Sequence, residues 1–196
     1  MTLWALVSDI HGNRKALDEI ERRCAAAGVQ RYACLGDVIG RGDPAACVAW
    51  VRAHAAIALV GNRDLDHLAR VPQDLRDVVL GWANEAQAAD FIVSHGESRL
   101  HRVLNSAAER DGFRRAKSYM EERGAALWLF GHTHRSRCWR LGDVGATEIH
   151  DTDVELDPRV LYVVNVGTAG LPLPGRGAAS FTLYDDATRV VRRVVL

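Results

Sequence analysis

Lysine is almost missing from this chain of 196 residues, in which only Lys15 and Lys117 accompany the arginines. Basic and acidic residues balance at 25 each, so the formal net charge is zero. This balance excludes a global field that would steer the protein to nucleic acid or to a membrane. An anionic ligand must therefore be selected by a local site. Genomic base composition explains the excess of arginine, but guanidinium groups also suit the two-pronged binding of phosphate oxygens.

Paired cysteines and long apolar stretches are also missing. Cys24, Cys34, Cys47 and Cys138 form no C-x-x-C pair, and their apolar neighbours predict small core residues. No segment approaches the roughly 20 apolar residues that span a bilayer. The first residues lack the basic start and long apolar stretch of a signal peptide. We therefore expect a protein of the reducing cytoplasm.

The apolar content of 48% and the length predict one domain over residues 1–196. Two helices are predicted to begin at the capping residue Asn13 and at the Asp43–Pro44 pair, and to end at Gly28 and near His54. Helical patterns also cover 73–89 and 105–123, and short apolar runs predict strands at 3–8, 32–35, 57–60, 91–94 and 127–130. Alternating strands and helices indicate an α/β fold with parallel strand pairs.

The pattern changes after Arg137. Short β-rich runs follow one another with glycine and proline between them, at 137–140, 146–149, 160–166, 180–184 and 189–195. We expect them to form a second, mostly antiparallel sheet that packs on the first.

Metal-binding residue types follow each of the five earlier strands. In open parallel sheets, ligands bind outside the carboxyl ends of the strands, so these side chains are expected to meet. Asp9-x-His11 and His132-x-His134 place both members of each pair on one side of an extended segment. The seven candidate ligands are Asp9, His11, Asp37, Asn62, His95, His132 and His134.

Seven such side chains exceed the needs of one cation and predict two cations that share a carboxylate. Mixed imidazole and carboxylate ligation favours manganese, iron or zinc over calcium and magnesium. Each cluster alone is more often a turn or a loop, and the joint pattern behind five strands is what indicates a shared site. Of the other histidines, His54 and His150 are interpreted as surface or structural, and His67 and His101 as candidates for the border of the pocket.

The order of these motifs resembles that of the calcineurin-like metallophosphoesterases, over nearly the whole chain. The motifs are D-I-H-G at 9–12, G-D-V-I-G at 36–40, G-N-R-D at 61–64, H-G at 95–96 and G-H-T-H at 131–134. The segments 36–44, 95–99, 165–172 and 179–181 are similar to those of the small bacterial and archaeal phosphodiesterase branch. The resemblance implies a four-layer α/β sandwich in which helices flank two packed mixed sheets.

The resemblance also implies roles for the ligands. Asp9, His11 and His134 would hold the first ion, and Asn62, His95 and His132 the second. Asp37 would bridge the two ions, which would lie roughly 3.5–4 Å apart and share a bridging hydroxide as nucleophile.

One position departs from the family pattern, because Arg63 stands where a histidine is usual. Arginine cannot release a proton near neutral pH, but it can stabilise charge on phosphoryl or leaving oxygens. We therefore expect a phosphodiesterase rather than a phosphomonoesterase. The expected catalytic residues are Arg63, Asp64 and Asp37, with Asp64 fixing His11 or another ligand, and the expected substrate contacts are Asn13, Arg41, Arg63 and Arg99.

Two alternatives stay open. Arg41 follows the G-D motif as in protein phosphatases and dinucleoside tetraphosphatases, which keeps these two enzyme classes open. The expected substrate is a small phosphoester or a nucleotide-type molecule. The small scaffold subunit of the eukaryotic retromer resembles the same fold, which keeps a non-catalytic partner-binding role in view. The sequence leaves homo-oligomer formation open, and segments 65–90 and 97–120 are expected to overhang the pocket without a recognisable motif.

Overall fold

The first half of the chain builds a parallel three-stranded unit. The structure, a computed structural model, describes residues 1–88, 90–96 and 109–196, with side chains from 112 in the last range. Its first elements are β1 (Leu3–Val7), α1 (Arg14–Ala27), β2 (Arg31–Cys34), α2 (Pro44–His54) and β3 (Ala55–Ala58). The strands pair in parallel, β1 with β2 and β2 with β3, as predicted.

Local signals at the ends of the two helices act as expected. The Asn13 side chain accepts the backbone N–H of Ala16, and Gly28 ends α1 with a left-handed φ of 75°. Asp43 caps α2 through the backbone N–H of Ala46, and a proline follows it.

The middle of the chain contains three elements that the sequence did not predict, namely α3 (Asn62–Asp66), a 3₁₀ turn (Leu68–Arg70) and β4 (Glu85–Ala88). This region also comprises α4 (Gln73–Leu80), β5 (Phe91–Ser94), α5 (Glu109–Glu122) and β6 (Leu127–Phe130). The predicted helix over 73–89 is wrong beyond Leu80, because 85–88 form β4 and pair antiparallel with β5. Pairing at the edge of a sheet overrides the helix propensity of the Glu-Ala-Gln-Ala segment.

The last six strands do not form a sheet of their own, so that expectation is wrong. They are β7 (Arg137–Leu141), β8 (Ala146–Ile149), β9 (Asp153–Glu155), β10 (Leu161–Asn165), β11 (Ser180–Asp185) and β12 (Val190–Val195). The first sheet has the order β3-β2-β1-β11-β12-β9, and the second has the order β4-β5-β6-β10-β7-β8. Both sheets are mixed, because antiparallel strands extend a parallel core in each.

Alternate side chains of each sheet serve two different cores. Trp4 and Leu6 of β1 belong to a cluster that also contains Phe91 and Leu127 of the second sheet. Ala5 and Val7 belong instead to the cluster formed with α1 and α2.

On the far side of the second sheet, Ile92 and Trp128 cluster with Phe113 and Met120 of α5. The layers are therefore helices, first sheet, second sheet and helix, which confirms the four-layer α/β sandwich. In the described residues, no helix combines the length and the apolarity that crossing a bilayer requires.

Candidate metal centre

Five loops meet at one rim, although the strands before them belong to two sheets. Within the first sheet, the N–H groups of Asp9 and His11 donate to the carbonyls of Gly36 and Asp37 at 3.0 and 2.9 Å. Between the sheets, the N–H of His132 donates to Asp9 Oδ2 at 2.8 Å. His95 Nδ1 lies 2.7 Å from the carbonyl oxygen of Leu35. The candidate ligands thus converge at the rim of two sheets instead of at the edge of one.

Asp9, His11 and His134 form the first triad, with one ligand atom from each within 4.8 Å of the others. His134 Nε2 lies 3.1 Å from Asp9 Oδ1. The Nε2 atoms of the two histidines lie 3.2 Å apart. Three potential donor atoms therefore face one point.

Asp37, His95 and His132 form the second triad, which meets the same distance criterion. His95 Nε2 lies 3.4 Å from Asp37 Oδ1 and 3.2 Å from His132 Nδ1. Asn62, from the start of α3, adds its Oδ1 at 3.1 Å from His132 Nδ1. All seven candidate ligands thus lie in the two groups.

Asp37 lies between the two triads. Its Oδ1 faces His95, while its Oδ2 is 3.7 Å from His11 Nε2. The backbone N–H of Arg63 donates to Oδ1 at 2.8 Å and fixes the carboxylate in that orientation. One oxygen directed toward each triad is the arrangement that a bridging ligand needs.

Hydrogen bonds fix which ring nitrogen faces the centre. Nδ1 of His134 lies 2.7 Å from the carbonyl oxygen of Leu171, so this nitrogen must carry the proton. His95 makes the equivalent contact with Leu35. In a neutral ring, Nε2 then presents a lone pair to the neighbouring carboxylate, and ligating histidines are held in this way by a carbonyl or a carboxylate.

The buried atom Asp9 Oδ1 has no hydrogen-bond partner in the described part of the chain. An uncompensated buried carboxylate oxygen is costly, and a cation held between it and the Nε2 atoms of His11 and His134 would remove that cost. The donor set of imidazole nitrogens and carboxylate oxygens suits a divalent transition metal. The residues of both triads therefore fit metal ions.

The pKa values of the site residues indicate that negative charge at the centre needs compensation. Burial alone would raise the pKa of Asp9, but the interactions with His134 and His95 have the larger effect and lower the pKa to about 2. Burial lowers the pKa of His95, and Asp37 and Asp9 outweigh it and raise the value to about 9. Burial dominates at His11 and lowers its pKa, which favours the neutral imidazole that binds metal. The carboxylates thus call for positive charge, from protons or from cations.

Backbone strain is concentrated at this rim. Six non-glycine residues in the described ranges have a positive φ, and five of them are candidate ligands. Their φ values lie between 50° and 66°, for Asp9, His11, Asp37, His132 and His134. Strained conformations of this kind cluster at functional sites, where the surrounding structure enforces them.

Two glycines leave room for the carboxylates. A Cβ added at Gly61 would lie 2.2 Å from Asp37 Oδ1, and one at Gly131 would lie 2.7 Å from Asp9 Oδ2. Each carboxylate therefore lies against backbone that only glycine permits.

Asp64 is fully buried below the centre and binds backbone amides. Its Oδ2 accepts from Asp37 and Gly61 at 2.9 Å each, and its Oδ1 accepts from Ile39 at 2.7 Å. Burial raises its pKa to about 6, against the opposing effect of the Ile39 and Gly61 amides. Its described partners do not include the ring of His11, so it fixes the loops of Asp37 and Asn62 by their backbone.

The predicted substrate contacts differ in their position. Arg63 lines the metal pocket, a cavity of about 350 Å³, and Arg41 lines an adjoining cleft. Asn13 is occupied elsewhere, since its Oδ1 caps α1 and its Nδ2 donates to the carbonyl of Gly170 at 3.1 Å. Arg99 lies outside the described residues.

The remaining histidines have separate environments. His67 borders the adjoining cleft. His54 stacks on Trp50 with ring centroids 4.9 Å apart, and the side chain of His150 is 83% exposed, in agreement with structural and surface positions. His101 lies outside the described ranges, as does the first half, 97–108, of the predicted covering segment 97–120.

Residues of β10 and of the loop after it support the loops that carry the candidate ligands. The sequence did not predict this role for them. Asn165 Nδ2 donates to the carbonyl of Gly131 at 2.7 Å and to Thr133 Oγ1 at 2.8 Å, holding the G-H-T-H loop. Thr168 Oγ1 donates to the carbonyl of Asp9 at 2.9 Å. Arg176, at the pocket edge, donates to the carbonyl of Thr133. Asn165 and Thr168 lie in the segment 165–172 that is similar to the phosphodiesterase branch, but that similarity assigned no role to them.

Comparison with known proteins agrees with this geometry. A model of the calcineurin-like phosphoesterase superfamily domain matches residues 1–188. A metallophosphoesterase crystal structure from Sphaerobacter thermophilus is 22% identical, with a TM-score of 0.80 over 100% of this chain and 88% of that chain. A structure described as a novel archaeal phosphodiesterase is 16% identical, with a TM-score of 0.61 over 99% of both chains.

The fold is also similar to that of Vps29 from Entamoeba histolytica, solved in complex with zinc. That chain is 17% identical, with a TM-score of 0.55 over 98% of both chains. At these identities, the structural likeness establishes the fold, and the activity has to be argued from the site.

Proposed function

Because the chain belongs to the calcineurin-like phosphoesterase superfamily, we propose that it is a binuclear metal-dependent hydrolase of phosphodiesters. The first triad would hold one divalent cation, and Asn62, His95 and His132 would hold the other. Asp37 would be shared between them. The observation that supports this proposal most is the convergence of the Nε2 atoms of His11 and His134 on the buried Asp9 Oδ1, which has no hydrogen-bond partner in the described part of the chain.

Two bound divalent cations would supply Lewis-acid charge at the phosphoryl oxygens and lower the pKa of a nearby water. Side chains of the protein would orient the shared carboxylate and bind the substrate. Asp37 presents one oxygen to each triad, and Asp64 holds the backbone beneath it. The guanidinium of Arg63, at the pocket edge, can bind phosphoryl oxygens by charge-assisted hydrogen bonds.

The preference for diesters rests on Arg63. Its side chain is 54% exposed, and it has an ion pair with the equally exposed Asp66 at 3.2 Å, which water screens. The guanidinium is therefore available to a substrate. It cannot protonate a leaving alkoxide, so esters with good leaving groups are favoured over alkyl phosphomonoesters.

The first test uses metal-free protein reloaded with manganese and bis(p-nitrophenyl) phosphate. Loss of a residue that only supports a metal ligand costs roughly 10–100-fold in activity. Asp37→Asn should lower kcat by more than this, because both ions would lose a ligand. Asp151→Asn, at an exposed carboxylate away from the centre, is the matched control. Retention of the wild-type rate by Asp37→Asn would refute the shared role of Asp37.

The diester preference has a separate test. Arg63→His restores a group that can give a proton near neutral pH, so it should raise the rate with an alkyl phosphomonoester relative to the rate with the diester. The ratio of the two kcat/KM values is the measurement. An unchanged ratio would show that Arg63 does not set the preference.

Two alternative functions are separated by turnover. Arg41 borders the adjoining cleft, which favours a dinucleoside tetraphosphatase or protein phosphatase as the second enzymatic candidate. Comparing a phosphopeptide with a dinucleoside polyphosphate distinguishes them.

A scaffold role is favoured by the similarity to Vps29, a retromer protein. Since that protein was solved with zinc, metal content alone does not decide between enzyme and scaffold. Turnover by the metal-reloaded protein distinguishes the enzyme from the scaffold. The cytoplasmic location, the small phosphoester substrate and a homo-oligomeric state stay predictions.

A further inference from the structure

A second cavity adjoins the metal pocket. It has a volume of about 520 Å³, and the metal pocket has a volume of about 350 Å³. Four residues line both: His11, Arg63, Leu171 and Leu173. The second cavity, which we call the arginine cleft, therefore opens directly onto the place where a phosphoryl group would lie, and its size is within the range of small-molecule sites.

The arginine cleft has a strong local excess of positive charge in a chain of zero net charge. Arg41, Arg63 and Arg70 line it together with His67, and no carboxylate does so within the described residues. Low-dielectric walls lined by one sign of charge focus the field and attract anions.

Besides Arg63, which is paired with the exposed Asp66, two guanidinium groups of the cleft can bind a ligand. Arg41 is exposed, and its side chain has no hydrogen bond or ion pair to any described residue. Arg70 donates one N–H from Nη1 to the carbonyl of Gly40 at 3.2 Å, which orients the group and leaves other donors available. By contrast, Arg137, which does not line the cleft, is paired with Glu148.

Part of the lining is apolar. Leu171 and Leu173 line the cleft together with the arginines, and Leu171 is 41% exposed. An anionic group near the arginines would thus have an apolar surface beside it, and this suits a phosphate that is attached to a nucleoside.

We propose that the arginine cleft binds a second phosphate group, located on the leaving side of the substrate. This inference rests on the proposed hydrolase function and extends it from diesters to the phosphoanhydride bonds of nucleotide-type polyphosphates. Hydrolysis would form a bond between a water oxygen and phosphorus and break the bond from phosphorus to the bridging oxygen. The bridging oxygen would leave with the electron pair as part of a phosphate anion, and a proton would pass to solvent.

The chemistry of Arg63 agrees with this assignment. A phosphate anion leaves without being protonated, so a site that has arginine in place of a proton donor loses nothing with such a substrate. Charge on the leaving phosphate oxygens would be stabilised by Arg41 and Arg70 as it develops. The arrangement of charge and the missing proton donor thus favour the same class of substrate.

The test compares Arg41→Gln with Arg52→Gln. Both arginines are exposed and have no side-chain partner among the described residues, but Arg52 does not line the cleft. For manganese-loaded protein, kcat/KM is measured with diadenosine tetraphosphate and with bis(p-nitrophenyl) phosphate, which lacks a second phosphate. Arg41→Gln should lose about tenfold more on the tetraphosphate than on the diester, and Arg52→Gln should lose nothing on either.

A binding measurement separates this inference from the hydrolase proposal. Inorganic tripolyphosphate is titrated calorimetrically into metal-free wild type and the variants, and its Kd should rise about tenfold in Arg41→Gln and in Arg70→Gln. If neither the tetraphosphate nor the diester is hydrolysed but this binding difference is found, phosphate binding in the cleft is supported and the hydrolase proposal fails. If Arg41→Gln matches Arg52→Gln in binding, or loses equally on both substrates, the cleft does not bind a second phosphate.

Discussion

The two triads have the same composition, one aspartate and two histidines, but different support. In the second triad, Asp37 and His95 are 2% and 3% exposed, and His95 is fixed by the carbonyl of the fully buried Leu35 at the end of β2. In the first triad, His134 is fixed by the carbonyl of Leu171, whose side chain is 41% exposed. His95 of the second triad is thus held by core backbone and His134 of the first by a surface loop, although Asp9 is itself fully buried.

This difference matters because partners behind a ligand set its orientation and the affinity of the ion. A ligand held by core backbone keeps its geometry, while a ligand held by a surface loop shares the lower local stability of that loop. We therefore expect the second triad to hold its ion more tightly. The first triad, which also borders the arginine cleft through His11, is expected to exchange its ion more readily.

The largest effect is expected from removing one histidine of each triad. After manganese loading and desalting, the wild type should retain between one and two ions per chain, His134→Ala about one, and His95→Ala less than one. His95→Ala removes the tightly held ion and leaves only the more weakly bound one. Elemental analysis at matched protein concentration is the measurement.

His150→Ala, at an exposed ring outside both triads, is the control and should retain the wild-type content. If His134→Ala loses both ions while His95→Ala keeps one, the ranking of the triads is reversed. Circular dichroism of each variant shows that the fold is intact.

The parts of this structure that the sequence predicts depend on local signals. Asn13 and Gly28 mark the ends of α1, and Asp43 marks the start of α2, because caps act within a few residues of themselves. The candidate ligands were found for a similar reason, since each directly follows an apolar run. Their grouping in the structure agrees with the expected sets, and their roles as ligands stay predictions.

The parts that the sequence did not predict depend on partners far along the chain. Nothing within 85–88 says that this segment pairs with β5, and nothing local to the last six strands assigns them to one sheet or the other. The same holds for the contacts of Asp64, Asn165 and Thr168 with the backbone of Ile39, Gly131 and Asp9, which lie 25, 34 and 159 positions away. Motif spacing shows which side chains can be ligands but does not show what holds them.

The smallest and most selective effect is expected at Thr168, which links the surface loop to the first triad. Its Oγ1 donates to the carbonyl of Asp9 at 2.9 Å and accepts the N–H of Leu171 at 3.0 Å. Thr168→Val keeps the shape and removes both hydrogen bonds, at a cost of about 1–3 kcal/mol in the free energy of unfolding. The affinity of the more weakly held ion should fall about 10–100-fold, because the carbonyl that orients His134 loses its anchor.

A competitive chelator titration, followed by the release of each ion, distinguishes a selective effect from a general one. Only the first release step should move to lower chelator concentration in Thr168→Val, while the second step, from the core-supported triad, keeps its midpoint. Thr147→Val, at an exposed position of β8, should leave both steps in place. Equal movement of both steps would mean that Thr168 acts through overall stability, and the two triads would then be supported by one common scaffold rather than by a loop and a core.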